Sequence, residues 1–313
     1  MQTESLAAVN KAELFASLPP EWQDPDLGST IQREIRVSGR QVVVLDDDPT
    51  GTQTVHDVSV LTQWSVEQLR DAFSNDDTVF YILTNSRSVS TKRAIALNYE
   101  IAINLARAGR LARRDFVVVS RSDSTLRGHY PAEVDALSET LEHETGHRFD
   151  GHIVIPFFLE GGRYTIGDVH WVQEGERLVP AAQTEYAHDP TFGYAHSNLR
   201  EWIAEKTRLR FRTSQVVSIS LDVIRREGPA RIAEILATVE ENCPVIVNAA
   251  SDYDLQVFVA GLLRAEAWGK RFLFRTAASF VRARGGIEVR ALLKPAELYG
   301  GNPIARSGLV VVG

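Results

Sequence analysis

The sequence predicts an α/β protein, a three-layer α/β/α fold with a mainly parallel sheet, and three observations carry that reading. Short apolar runs alternate with amphipathic stretches through residues 41–285. Runs such as Val42-Val43-Val44-Leu45 are continuously apolar, as strands buried on both faces are. Several of them stop abruptly in polar clusters, the pattern of strand ends that meet in a ligand crevice.

In chain order, residues 1–40 are polar, carry Pro19-Pro20 and a DPD segment, and read as a short helix, a turn and an arm packed on the main domain. Candidate strands follow at 41–46, 57–62, 78–84, 115–121, 152–157, 215–221, 244–248 and 271–275. Between them lie amphipathic stretches at 66–74, 90–109, 131–145, 197–206, 229–241, 252–267 and 277–284. The stretch 160–195 is rich in Gly, aromatic residues and His; it interrupts the alternation and reads as a hairpin or long loop beside the site. Residues 285–307, with Gly-Gly twice and two prolines, read as a linker. The final GLVVVG, residues 308–313, reads as a buried strand with no helix to cover it. Pattern alone leaves it as an edge strand of the same sheet or the start of a further domain.

Composition narrows the function classes. A chain of 313 residues, 44% apolar and 24% charged, has ample core for one large α/β domain or two smaller ones. Its net charge of −7 argues against a general polyanion-binding role, so no nucleic-acid partner is expected. The single cysteine, Cys243, permits no internal disulfide, fits a reducing cytosol and reads as a small core residue ahead of Pro244. No basic-then-apolar leader opens the chain and no run of 18 apolar residues occurs, so a cytoplasmic protein without a membrane span is expected.

Four strand ends carry the chemistry. The first runs into Asp46-Asp47-Asp48, where three adjacent negative charges need a cation or polar ligand, with Asp48 also suited to an Asx-turn. Others lead into Thr84-Asn85-Ser86-Arg87, into Ser122-Asp123-Ser124-Thr125-Leu126-Arg127-Gly128, and into Glu160-Gly161-Gly162-Arg163. Converging strand ends would bring the acids to face Arg87, Arg127 and Arg163, and several arginines around one crevice suit a small polar anion. Ser124 and Thr125 also fit helix N-capping roles. His56, His129, His152 and His170 stand in no zinc-ligand spacing, and no metal site is expected. Neither GxxxxGK[ST] nor GxGxxG after a strand occurs, so no nucleotide cradle is visible.

Two family resemblances compete. LDDDPT reads as DxDxT and resembles the first motif of haloacid-dehalogenase-type phosphohydrolases, which would make Asp46 a nucleophile and Asp48 a general acid/base; ILTNS at 82–86 resembles their second. Their later Lys and paired acids find no match, since strand 244–248 leads to Ala249-Ala250-Ser251 before Asp252. The chain more fully resembles the four-carbon acid sugar kinase family. Asp47-Asp48-Pro49-Thr50-Gly51 is similar to its DDxTG motif, Thr84 to Arg87 to its second strand-end segment, and Asp123 to Gly128 to its DSTLRG signature. Gly162-Arg163-Tyr164-Thr165-Ile166-Gly167 resembles its GRxTxxG segment. The chain departs from the family at Pro49 and at Ser120-Arg121-Ser122, where many relatives carry a Lys.

This second resemblance implies that residues 41–285 form a sugar-acid-binding domain, with 286–313 leading into a C-terminal nucleotide-binding domain. It implies ATP-dependent phosphorylation, with Mg2+, of the terminal hydroxyl of threonate, erythronate or an oxo-tetronate, by a possible homodimer. Arg87 and Arg127, with Ser124 and Thr125, would hold the substrate carboxylate and hydroxyls, and Thr50, Asp123 and Arg163 would complete the pocket. Asp47 would take the proton from the attacking hydroxyl, and Asp48 would orient a hydroxyl or help hold magnesium. A chain lacking the second domain would bind the acid and turn over ATP poorly. A non-catalytic small-acid-binding module is the remaining alternative.

Overall fold

The computed structural model describes residues 6–291, 294 and 296–297, so the GLVVVG segment and part of the linker lie outside the described residues. Twelve strands are described: β1 Val9–Asn10, β2 Gln41–Asp46, β3 Ser59–Leu61, β4 Val79–Leu83, β5 Phe116–Arg121, β6 Gly151–Ile155, β7 Arg163–Ile166, β8 Val169–Glu174, β9 Arg177–Pro180, β10 Val217–Ile219, β11 Cys243–Val247 and β12 Phe272–Thr276. Eight of them form one sheet in the order β10-β11-β6-β12-β5-β2-β4-β3, with every neighbouring pair parallel. These are the eight strands read from the apolar runs, with bounds shifted by a residue or two.

Helices cover both faces and enclose two cores, and β2 shows why. All its residues are buried. Val42 and Val44 enter a core with Phe258, Phe274 and Phe280, while Val43 and Leu45 enter the opposite one with Leu69, Phe73 and Ile101. Alternate side chains leave opposite faces of a strand, so a continuous apolar run is what a doubly covered sheet requires. Side-chain caps start the flanking helices: Ser65 caps Val66–Ser74, Ser90 caps Thr91–Ala112 and Ser251 caps Asp252–Ala267.

Two regions differ from the sequence reading. The first 40 residues contain two helices, Lys11–Ala16 and Leu27–Ser38, and the second buries Leu27, Ile31 and Ile35 in the first core. Only one apolar residue per turn carries that face, so a mostly polar composition conceals it. The stretch 160–195 is more ordered than a hairpin or long loop: β7, β8 and β9 form an antiparallel meander, and β1 pairs with β9. Gly167 and Asp168, at φ 63° and 65°, make the tight turn between β7 and β8. Short 3₁₀ turns at Ala181–Gln183 and Glu185–His188 then return the chain toward the main sheet.

The helices Gly228–Ala237 and Asp252–Ala267 pack closely at Gly261. A Cβ on Gly261 would stand 2.6 Å from the Ile232 side chain and 2.8 Å from the Pro229 carbonyl oxygen. Gly261→Ala gains roughly 1 kcal/mol of helix propensity, but overpacking of this kind costs about 1–3 kcal/mol. The variant is expected to unfold at lower urea with an unchanged slope; an unshifted midpoint would mean that the two helices separate freely.

Candidate functional site

The site lies at the carboxyl ends of β2, β4 and β5, where β2 is flanked by strands reached in opposite directions along the sheet. Register dictates the first contact. Asp46 is aligned with Arg121 on β5, so both side chains leave the same face, and Arg121 Nη1 lies 3.0 Å from Asp46 Oδ1. Both are buried. A Cβ on Gly51 would overlap the Asp46 carboxylate, so only glycine lets the turn fold back over this acid. Burial raises the Asp46 carboxyl to about 7, with Arg121 opposing the rise and Asp47 and Asp48 adding to it.

Asp47 is 3% exposed and grips Arg87. The guanidinium donates Nε to Oδ2 at 3.1 Å and Nη2 to Oδ1 at 2.5 Å, a paired arrangement, and Ser122 Oγ donates to Oδ2 at 2.5 Å. Burial pushes the Asp47 carboxyl upward and Arg87 pulls it back. Asp48, with its side chain 21% exposed, is the more open acid. It closes an Asx-turn by accepting from the Thr50 backbone N–H at 2.7 Å, and it meets Arg87 at 2.7 Å and Arg121 at 3.3 Å. Burial raises its carboxyl, but Thr50, Arg87 and Arg121 together hold it below the ordinary range. Two arginines are therefore shared among the three adjacent acids, and removing one would strand buried charge at a cost of about 3–5 kcal/mol.

The loop after β5 extends this network. Arg87 reaches Asp123 at 4.0 Å, and Arg127 donates Nε to Asp123 at 2.7 Å. Thr125 Oγ1 also donates to Asp123, and these two donors, with the nearby Arg87 charge, hold the carboxyl low against burial. Gly128, at φ 114°, has no room for a side chain: a Cβ would stand 2.5 Å from Arg275 Nη2 and 2.6 Å from Ser122 Oγ. Behind the loop, Arg275 on β12 donates to Glu133 at 2.8 Å and to Ser120 at 3.0 Å, and Ser86 donates to Glu133 at 2.5 Å. This buried layer joins the ends of β4, β5 and β12.

The antiparallel sheet and its return segment form the outer wall. His170 on β8 donates Nε2 to the Ser124 carbonyl at 2.7 Å and accepts from Thr165 at 3.1 Å. Burial lowers this imidazole to about 4, which keeps it neutral and able to play both roles. Tyr194 donates to the Thr125 carbonyl at 2.8 Å. Tyr186 lies against Arg127 and Arg163, and Asp189 stands 3.8 Å from Arg127.

Asp47, Asp48, Thr50, Arg87, Asp123, Thr125 and Arg127 thus belong to one connected cluster, with Ser124 tied to it through its backbone. Arg163 does not meet the acid turn; it joins the cluster at the far end through Tyr186. Ser122 stood in the third strand-end cluster and Arg121 in the departure from the family pattern, both without an assigned role, and Glu133, Arg275 and Tyr186 were not among the expected residues. The pairing of Asp46 with Arg121 requires knowing that β2 and β5 are neighbours. His129 and His152 are buried in structural hydrogen bonds, and His56 is on the surface. A larger cavity, about 570 Å³, opens at the amino ends of β5 and β12, lined by Arg40, Arg110, Arg113, Arg114 and Arg271. Helices Leu27–Ser38, Thr91–Ala112 and Ala132–Thr145 end there, so basic side chains at their carbonyl ends are expected without any ligand. The space beside Ser122, Asp123 and Arg127 is only about 20 Å³, because the arginines fill it.

The fold is thus an α/β domain whose parallel sheet carries interlocked acids and arginines at its carboxyl ends. The chain belongs to the family of sugar-binding N-terminal domains, whose model matches residues 42–284. It is similar to a D-erythronate kinase of Heliobacterium modesticaldum, 26% identical over 230 residues, covering 70% of this chain and 47% of the relative. Two solved structures share the fold. One is a Bordetella bronchiseptica domain of unknown function, a domain-swapped dimer with bound citrate (TM-score 0.56, 21% identity, 78% of this chain and 54% of that one). The other is a Haemophilus influenzae protein (TM-score 0.55, 17% identity, 87% of this chain and 59% of that one). The chain spans about half the length of these relatives. Among the described residues no helix is long and apolar enough to cross a membrane.

Asp46 yields a pH prediction. Its folded value of about 7 lies above the ordinary 3.8, so the folded protein binds its proton more tightly than the unfolded chain. The stabilisation from that proton is complete below the ordinary value and is lost as pH rises through about 7. The stability of the native protein minus that of Asp46→Asn is therefore expected to fall from acid pH to neutrality and level off above it. Urea unfolding of both proteins across this range checks the slope; a difference that rises with pH would contradict it.

Proposed function

We propose that this chain is the substrate-binding part of an ATP-dependent kinase that phosphorylates the terminal hydroxyl of a four-carbon sugar acid of the threonate, erythronate or oxo-tetronate type. The observation that carries the reading is the interlocked cluster of Asp47, Asp48, Arg87, Asp123 and Arg127 within a sugar-binding family domain. Similarity to a D-erythronate kinase supports the substrate class and the reaction. ATP would bring the transferable phosphoryl group from the portion of the relatives that this chain does not span. Magnesium does not fit the acid turn itself, because Asp46, Asp47, Asp48 and Asp123 are each engaged by arginine. We therefore assign it no ligand here.

The side chains divide the remaining work. Asp47 fixes Arg87, and Arg87 in turn aligns Asp48 and Asp123. Asp48, the more open acid and held ionised by its neighbours, is placed to accept a hydrogen bond from the reacting hydroxyl and to take its proton as the oxygen attacks phosphorus. Asp47, expected from the sequence to take that proton, is buried with both oxygens bonded to Arg87 and Oδ2 also to Ser122, so the more open Asp48 is the better candidate. Positioning and charge neutralisation dominate such transfers, and the interlocked acids and arginines would supply both. Asp46 is buried beneath Gly51 with no open approach for a phosphate, so the cluster does not favour a phosphohydrolase with Asp46 as nucleophile.

Calorimetry with D-erythronate and threonate tests this reading. Binding is expected for the native chain, and Arg127→Ala is expected to weaken it by about 10- to 100-fold, the value of a charge-assisted hydrogen bond of about 1.5–3 kcal/mol. If neither acid binds, the proposal fails.

A further inference from the structure

Arg87 was expected to bind the substrate carboxylate, yet its hydrogen bonds are spent on Asp47 and Asp48. Two other guanidinium groups are less committed. Arg127 uses Nε on Asp123 at 2.7 Å and Thr125 at 3.2 Å, and its outer nitrogens have only Asp189 at 3.8 Å, beyond hydrogen-bond range. Arg163 donates Nη1 to the Gly161 carbonyl and Nη2 to the Tyr186 hydroxyl at 3.3 Å, leaving its Nε buried without a partner. The Tyr186 ring links them: the Arg127 guanidinium carbon lies 5.1 Å from its centroid and that of Arg163 5.6 Å. Both distances are in the cation–π range. Two like charges would otherwise drift apart into solvent, and a shared aromatic ring offsets their repulsion. Tyr186 is itself fixed, half-buried against the second core on the Glu185–His188 turn.

We propose that Tyr186 is a positioning residue that holds Arg127 and Arg163 as a two-pronged clamp for the carboxylate of the substrate acid. The inference rests on the small-acid reading above and adds a direction to it. The clamp lies at the Asp189 end of the cluster and the acid turn at the other, with Asp123 bridging Arg127 to Arg87. An acid held by its carboxylate in the clamp therefore presents its distal hydroxyl toward Asp48. A substrate carboxylate would take the outer nitrogens of Arg127 that Asp189 only approaches.

The test compares D-erythronate with erythritol, its neutral counterpart, in titrations of the native chain, Tyr186→Leu, Tyr186→Phe and Arg163→Gln, with unfolding midpoints for each. Tyr186→Leu is expected to lose about tenfold or more in affinity for the acid and little for the polyol, so the preference for the acid collapses. Tyr186→Phe keeps the ring and should lose only a fewfold. Combining it with Arg163→Gln should cost less than the two losses added, since both remove the same contact. If Tyr186→Leu does not fold, the Phe and Gln variants alone decide through this non-additivity. Equal loss for both ligands, full additivity, or unchanged acid binding would overturn the clamp while leaving the small-acid reading intact. A native chain that binds no acid would overturn both.

Discussion

The Asp47–Arg87 pair is the constraint on which the rest of the site depends. Three carboxylates stand side by side at the end of one strand, and nothing in β2 can neutralise them. The compensating charges come from the neighbouring strands, Arg87 after β4 and Arg121 at the end of β5. Charge balance at the turn therefore requires the sheet order, and the sheet order brings Asp123 and Arg127 to the same place. A buried network of this kind contributes little net stability compared with an apolar one, but it tolerates only one arrangement of its members.

The two sheets divide the labour. The parallel sheet, anchored in two apolar cores, fixes the acids and the arginines that neutralise them. The small antiparallel sheet, through His170, and the segment that returns from it, through Tyr194, bond the backbone of Ser124 and Thr125. The DSTLRG loop is thus clasped from both sides, by Glu133 and Arg275 behind it and by the meander in front. Its conformation is therefore over-determined by contacts on both sides.

Much of this was legible in the sequence, and what was not has a physical reason. The eight parallel strands follow from short apolar runs, clearest in β2 and β4, where burial on both faces leaves almost no polar side to blur the signal. The acid turn, Arg87 and the DSTLRG loop stand directly after such runs. Arg275 and Glu133 were hidden, since one sits inside a strand and the other inside a helix where ionic residues read as incidental. Tyr186 was hidden because its neighbours Arg127 and Arg163 are far away in sequence and meet it only through the fold. The helix Leu27–Ser38 was missed because three well-spaced apolar residues suffice to dock it.

The turn after Asp48 is pinned twice: Gly51 rests against Asp46, and Thr54 Oγ1 donates to the Ala278 carbonyl at 3.0 Å. Ala278 begins the helix Ala278–Gly285. Residues 48–54 are thus a strap, fastened at one end to the acids and at the other by a single hydrogen bond to that helix, a connection that does not pass through the sheet.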